Sequence, residues 1–235
     1  FKADQLWHHK TQCRIVTYKP VPERIAHVAE LANNWTALRT APNAKKRIAI
    51  ILANYPNKDG RIANGVGYDT PASTINILKA LAALDYSVGT SFPRHPREGG
   101  EPASTVALAD ELDSRLRGND DWSEFGGNDL IEALQANRTN AAIAKQSETK
   151  LPLKRYVELF EKLPSQVQKE VTARWGEPNT DPFVLDNAFQ LPFISFGNVV
   201  VGIQPARGYN IDPKSTYHDP ALVPPHGYIA AYLWL

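Results

Sequence analysis

The run Ile48-Ala49-Ile50-Ile51-Leu52-Ala53 constrains this chain more than any other stretch. It has the length of a strand, is rich in branched residues, and does not alternate. A strand wet on one face alternates apolar and polar side chains; one without alternation is covered on both faces, as in a parallel sheet. A polar loop, Asn54 to Asp69, comes next, and then "PASTINILKALAALDY", a predicted helix with Asp69 or Thr70 as N-cap and Pro71 in its first turn. Strand, glycine-rich loop and helix open a Rossmann-like βαβ unit, in which ligands gather beyond the strand's carboxyl end. The predicted class is α/β: a Rossmann-like parallel-sheet unit with added helices and a β-hairpin.

The loop is not a nucleotide fingerprint. Gly65 and Gly67 lack the third glycine of GxGxxG, and GxxxxGK[ST] is absent. Its length far exceeds the roughly 2–6 residues of an ordinary βα turn, which favours a function. Asn54, Asp59, Arg61, Asn64 and Asp69 supply polar side chains there. Ligand contact and hydrogen bonding within the loop are both open for them.

A second unusual stretch lies near the end, "GIQPARGYNIDPKSTYHDPALVPPHGY", residues 202–228. Before it, "FISFGNVVVGIQ" reads as two strands joined by Gly197-Asn198, a pair that favours a II′ hairpin. After it, from Gly227, comes an apolar helix. Between them are five prolines and two histidines, His218 and His226, with almost no apolar periodicity. Arg207 can grip a carboxylate in bidentate fashion. Gln204 offers an amide, Tyr209, Tyr217 and Tyr228 offer aromatic faces, and Asp212 and Asp219 offer carboxylates. The histidine spacing matches no zinc signature, and there is neither a Gly-x-Ser-x-Gly elbow nor a His-Glu-x-x-His. Two polar loops beside a parallel sheet suit a large, flat, multiply charged ligand; a proline-stiffened surface loop is the alternative.

The rest of the chain is mostly helical. Residues 1–20 read as irregular or weakly extended around "CRIVTY", and "PERIAHVAELANNWTALR" as a helix with Ile25, Val28, Leu31, Trp35 and Leu38 on one stripe. Further helices are expected at "NDLIEALQAN", "LPLKRYVELFEKLP" and "PSQVQKEVTARWG", the last closed by Gly176. The expected organisation is an N-terminal helical segment, 1–44, then an α/β region, 45–235. Residues 90–121, rich in Arg, Pro, Gly and acid, resemble a translated palindromic repeat and read as an insertion. Deleting 92–121 is therefore expected to leave thermal stability nearly unchanged; a loss of several kcal/mol would show that they belong to the fold. His95 is discounted with them, and His8, His9 and His27 read as solvated.

With 235 residues and 43% hydrophobic content, the chain can bury a sizeable core. A net charge of +1 gives no reason to expect nucleic acid or an anionic membrane as partner. No apolar run approaches the roughly 20 residues of a spanning helix, no signal-peptide pattern opens the chain, and the one cysteine, Cys13, suits a reducing compartment. The expected location is the cytoplasm. The absence of methionine and the close on "IAAYLWL" in mid-pattern read as a piece of a longer protein.

"RIAIILANYPNKDGRIANGVGYDTPASTINILKAL" and "FGNVVVGIQPARGYNIDPKSTYHDPALVPPHGYIAAYLWL" resemble the large subunit of aerobic cobaltochelatase, a relative of the H-type large chain of magnesium chelatase. "PARGY", "TYHDP" and "LVPPH" lie nearer the cobalt branch. The resemblance implies a fragment of a larger multidomain subunit that binds a tetrapyrrole and Co²⁺, the substrate metal, and inserts the metal into hydrogenobyrinic acid a,c-diamide in cobalamin synthesis. It also implies an AAA+ ATPase subunit and a third subunit as partners. ATP is then used by the partner, in keeping with the missing P-loop, and the fragment by itself is expected to be inactive. A magnesium chelatase H-type fragment and a non-catalytic Rossmann-like module are the alternatives.

Metal insertion needs a base for the pyrrole N–H protons and a ligand that strips water from the cation, and imidazole does both. His226 and His218 are thus the expected catalytic and metal-binding residues. Substrate contacts are expected from Arg207, Gln204, Tyr209, Asn54, Asp59, Arg61 and Asp69. At a helix N-terminus the dipole disfavours imidazolium, so His226 is expected to be neutral; a role as helix cap only is the alternative.

Overall fold

The structure, a computed structural model, describes residues 2–54, 58–65, 67–89, 125–208 and 221–235. The repeat-like segment, His95 and the middle of the proline-rich stretch, from Tyr209 to Pro220, lie outside the described residues. The chain divides into two units, Phe1–Lys46 and Arg47–Leu235.

In the first unit, the residues read as irregular or weakly extended form a hairpin. β1 (Lys2–His8) pairs antiparallel with β2 (Cys13–Tyr18), His8 opposite Cys13. α1 (Pro22–Thr40) starts with proline at its first turn, where the missing N–H has no partner to lose. Its predicted stripe is real in spacing but uncovered: Ile25, Val28, Leu31, Trp35 and Leu38 are all exposed, and the helix buries none of its residues.

The second unit is built on a three-stranded mixed sheet in the order β3 (Ile48–Leu52), β8 (Val199–Ile203), β7 (Phe193–Phe196). β3 runs parallel to β8 with Ile48 opposite Val199, and β7 and β8 form the expected hairpin. Gly197 at its tip has φ +57, and a Cβ there would come within 2.6 Å of the Ser87 carbonyl oxygen, so glycine is required twice over. At the other end, a side chain on Gly202 would overlap the ring of Phe193, its cross-strand neighbour.

The missing alternation in β3 has the expected cause. Ile48, Ile50 and Leu52 share a cluster with Val199, Val201 and Ile203, closed by Ile75 and Leu78 of α2 (Thr70–Ala83) and by Leu130 and Leu134 of α3 (Gly127–Ala136). Ile51 and Val200 face a second cluster on the opposite side. That cluster gathers Tyr156 and Phe160 of α4 (Leu153–Phe160), Val171 of α5 (Ser165–Trp175), and Ala230 and Ala231 of α6 (His226–Trp234). Each fully buried Val, Leu, Ile or Phe contributes about 1.5–3 kcal/mol relative to exposure, so the sheet is held from both sides. β3 remains an edge strand among the described residues, with Ala49 exposed.

The sequence did not suggest the small antiparallel sheet β4 (Lys150–Pro152), β6 (Ala188–Gln190), β5 (Val184–Leu185). Its Phe189 and the following Leu191 are buried in the second cluster. Asp69 caps α2 as expected, accepting the Ala72 N–H at 3.0 Å.

Candidate functional site

β3 and β8 end side by side. The Leu52 carbonyl accepts from Gln204 N, and one residue further on the Ala53 carbonyl accepts from Ala63 N, both at 2.9 Å. This draws the start of the first polar loop and the start of the second to one end of the sheet. What clasps them is a segment with no evident role in the sequence, Asn137-Arg138-Thr139-Asn140, buried throughout. Thr139 donates from its hydroxyl to Asp59 Oδ1 at 2.5 Å, and Gln135 donates to the Asp59 carbonyl at 3.2 Å. Asn140 reaches the other loop, donating to the Gln204 carbonyl at 2.9 Å and accepting from Ala206 N at 3.0 Å. Asn137 accepts from Glu148 N at 2.8 Å.

Apart from His226, the predicted site residues fall into three groups. Asn54, Asp59, Gln204 and Arg207 belong to the two clasped loops; Asn54 is buried, Asp59 and Arg207 are half-buried, and Gln204 is exposed. Arg61 lies on the exposed side of the first loop, and Asp69 is engaged as the α2 cap. Tyr209 and His218 lie outside the described residues. Tyr228 packs against Tyr232, ring centroids 4.9 Å apart, beside an apolar groove of about 300 Å³ that Pro224, Ile229 and Leu233 also line.

His226 begins α6, as its sequence position implied, and is fully buried. Its Nδ1 lies 2.7 Å from the Tyr156 hydroxyl and its Nε2 lies 3.0 Å from the Gly176 carbonyl oxygen. A carbonyl only accepts, so Nε2 carries the hydrogen; a neutral ring then accepts from Tyr156 at Nδ1. Both nitrogens are used, and a ring held in this way presents no lone pair to a metal ion. The expectation that His226 ligates the metal therefore needs revision for this conformation. Phe160 packs edge-on to the ring at 5.1 Å. Among the described residues no group of three or more His, Cys, Asp or Glu could hold a metal ion.

Asp181 completes the anchorage. It is buried, with Oδ1 accepting from Phe183 N at 2.8 Å and Oδ2 from Gly227 N at 3.0 Å, the latter in the first turn of α6 where donors are unpaired. Arg138 bonds the Pro182 carbonyl and lies 4.1 Å over the Phe183 ring. One tetrapeptide thus touches Asp59, the Gln204–Ala206 strand exit and the turn that seats α6. Trp175 donates to the Val223 carbonyl at 2.8 Å, so the proline-rich stretch is fastened at its entry and at its exit.

Burial, and then the Asp181 carboxylate, push the Tyr156 phenol well above its ordinary value. The folded state keeps this proton while the unfolded chain loses it near pH 10, so the stability it contributes is present below about pH 10 and falls as pH rises further. The melting temperature should therefore decline above about pH 10, and Tyr156→Phe should flatten that decline. An equal slope in the variant would show that another group is responsible.

The whole chain, residues 1–235, matches the family model described as CobN/Magnesium Chelatase. The chain belongs to the CobN/magnesium chelatase family. Within that family it is 44% identical to an aerobic cobaltochelatase subunit CobN of Sinorhizobium sp. and 42% identical to that of Pseudomonas aeruginosa, over all of this chain and 16% of each relative. Identity to the H-type magnesium-chelatase chain of Chlorobaculum parvum is 27%, over 92% of this chain and 14% of the relative. Among solved structures, the catalytic subunit of cobaltochelatase from Mycobacterium tuberculosis superposes with a TM-score of 0.65 at 32% identity, covering 94% of this chain and 16% of that one. The chain thus spans about a sixth of the length of these CobN/magnesium chelatase relatives, and the α/β architecture expected from β3 is theirs as well. No helix among the described residues is long and apolar enough to cross a membrane.

The clasp was not found from sequence because "ANRTN" reads as the frayed polar end of a helix. Tyr156 and Asp181 were missed because their partners lie 70 and 46 positions away. The available signal was a run of four polar residues directly after an amphipathic helix.

Proposed function

We propose that this chain is part of the tetrapyrrole- and metal-handling region of a cobaltochelatase large subunit, which inserts Co²⁺ into hydrogenobyrinic acid a,c-diamide within an ATP-dependent, cytoplasmic three-component complex. The observation that carries the reading is the clasp: two polar loops held together by the Asn137–Asn140 segment at the carboxyl ends of parallel strands, where α/β folds collect ligands. Identity of 42–44% to cobaltochelatase subunits against 27% to a magnesium-chelatase chain favours cobalt over magnesium.

In this reading Arg207 takes a peripheral carboxylate, while Gln204, Tyr209, Asn54, Asp59 and Arg61 frame the macrocycle and Asp69 fixes the loop through α2. His218 is the imidazole available to meet the metal or a pyrrole proton. His226 is a positioning residue that seats the end of the loop. ATP is bound and hydrolysed by an AAA+ partner, a third subunit assisting.

Binding of hydrogenobyrinic acid a,c-diamide and of protoporphyrin IX to the full-length subunit, followed by tryptophan fluorescence, tests this. Tighter binding of the corrinoid precursor is expected, with Arg207→Ala weakening it about tenfold or more. Preference for protoporphyrin would favour the magnesium reading. Binding of neither would leave a non-catalytic module.

A further inference from the structure

We propose that Asn54 is a specificity-determining residue that pairs with a primary carboxamide of the bound ligand. Its side chain is 5% exposed, and neither Oδ1 nor Nδ2 has a hydrogen-bond partner among the described residues. It lies two positions beyond Leu52, whose carbonyl holds Gln204 N, at the end of the sheet where the loops are clasped. The buried polar side chains of the clasp differ. Thr139 and Asn140 are each bonded through their side chains, Asn140 through both its oxygen and its nitrogen. Folded proteins seldom keep a buried amide unpaired, because the lost contacts with water are not recovered. An amide with both of its polar atoms orphaned is accounted for when its partner arrives with the ligand.

Both atoms are orphaned, which fixes the chemistry of that partner. Nδ2 needs an acceptor and Oδ1 needs a donor, adjacent to one another. A carboxylate supplies acceptors only and would set oxygen against Oδ1. A primary carboxamide supplies both, in a reciprocal pair of N–H···O bonds. The inference rests on the tetrapyrrole reading, since it is the edge of an amidated macrocycle that offers carboxamides next to carboxylates. Arg207 would read the acids and Asn54 the amides.

The test compares hydrogenobyrinic acid a,c-diamide with hydrogenobyrinic acid, the same macrocycle bearing carboxylates in place of the two amides, on the full-length subunit. The wild type should prefer the diamide. Asn54→Leu, which removes both polar atoms and keeps the branched outline of the side chain, should weaken diamide binding about 10- to 100-fold and leave the parent acid within about threefold, abolishing the preference. Without ligand, its melting temperature should equal or exceed that of the wild type, because an unpaired amide has left the interior. Asn54→Asp, an acceptor only, should lose the diamide preference as well. Unchanged diamide affinity in a folded Asn54→Leu protein overturns the proposal, as does equal weakening for both ligands. A fall in ligand-free stability with unaltered binding assigns the amide to an ordered water and overturns it too. If the wild type binds neither macrocycle, the tetrapyrrole reading itself fails before any substitution is made.

Discussion

Alanine at position 226 is expected to destabilise the protein by about 3–5 kcal/mol, lowering the melting temperature by roughly 10 °C. The substitution empties a fully buried site and strands two groups at once, the Tyr156 hydroxyl and the Gly176 carbonyl. The Tyr156 hydroxyl, on a fully buried residue, has no water to turn to, whereas the carbonyl of the exposed Gly176 does. The effect should appear in urea denaturation of the metal-free protein, which separates a positioning role from a metal-ligating one. A ligand to Co²⁺ affects activity and leaves the apo protein stable, whereas this histidine should affect both. A loss below about 1 kcal/mol in the apo protein would show that the two hydrogen bonds contribute little, and would restore the case for a free imidazole. Tyr156→Phe, which removes one partner only, should cost about 1–3 kcal/mol.

Asp181→Ala should come close behind, with a loss of about 3 kcal/mol. The carboxylate accepts two backbone N–H groups, and one of them, Gly227 N, opens α6, where the helix dipole adds to the attraction. Asp181→Asn separates charge from geometry: an amide keeps one acceptor and loses the negative charge, so about half the loss should remain. Hydrogen exchange at the Gly227 amide should quicken in both variants. An asparagine variant as stable as the wild type would show that only the acceptor matters and the charge does not.

The parts of the molecule legible in its sequence were those specified by neighbours along the chain. The apolar run at Ile48 announced a strand covered on both faces, Gly197-Asn198 announced a hairpin, and Asp69 announced a helix start; all three follow from one or two local rules. Strands β4, β5 and β6 have only two or three residues each, too short to show a period of two. The stripe on α1 was legible as a pattern, but a pattern does not say what covers it, and the first unit itself does not. For the candidate site, the two loops could be recognised by their length and polarity, whereas the clasp between them could not. Thr139 and Asp59 are 80 positions apart, Asn140 and Ala206 are 66, and nothing local to either member of a pair specifies the other. His226 was placed correctly at a helix start, and its two hydrogen-bond partners were beyond the reach of the same argument for the same reason.

The parallel pairing of β3 with β8 also dictates how this chain must assemble. Ile48 meets Val199 across 151 positions, while β7 and β8 meet across a two-residue turn. The hairpin can form within microseconds, but the parallel ladder must wait for the intervening helices to collapse, which makes it the slow event of folding. Chain-closure entropy grows only with the logarithm of length, so the 32 residues from 90 to 121 raise the cost of that meeting by about 0.2 kcal/mol. A foreign segment arriving between α2 and α3 would thus leave the finished sheet almost as stable as before. Its effect would fall on the interval during which β8 waits with one edge unpaired, and so on the yield of correctly folded chains.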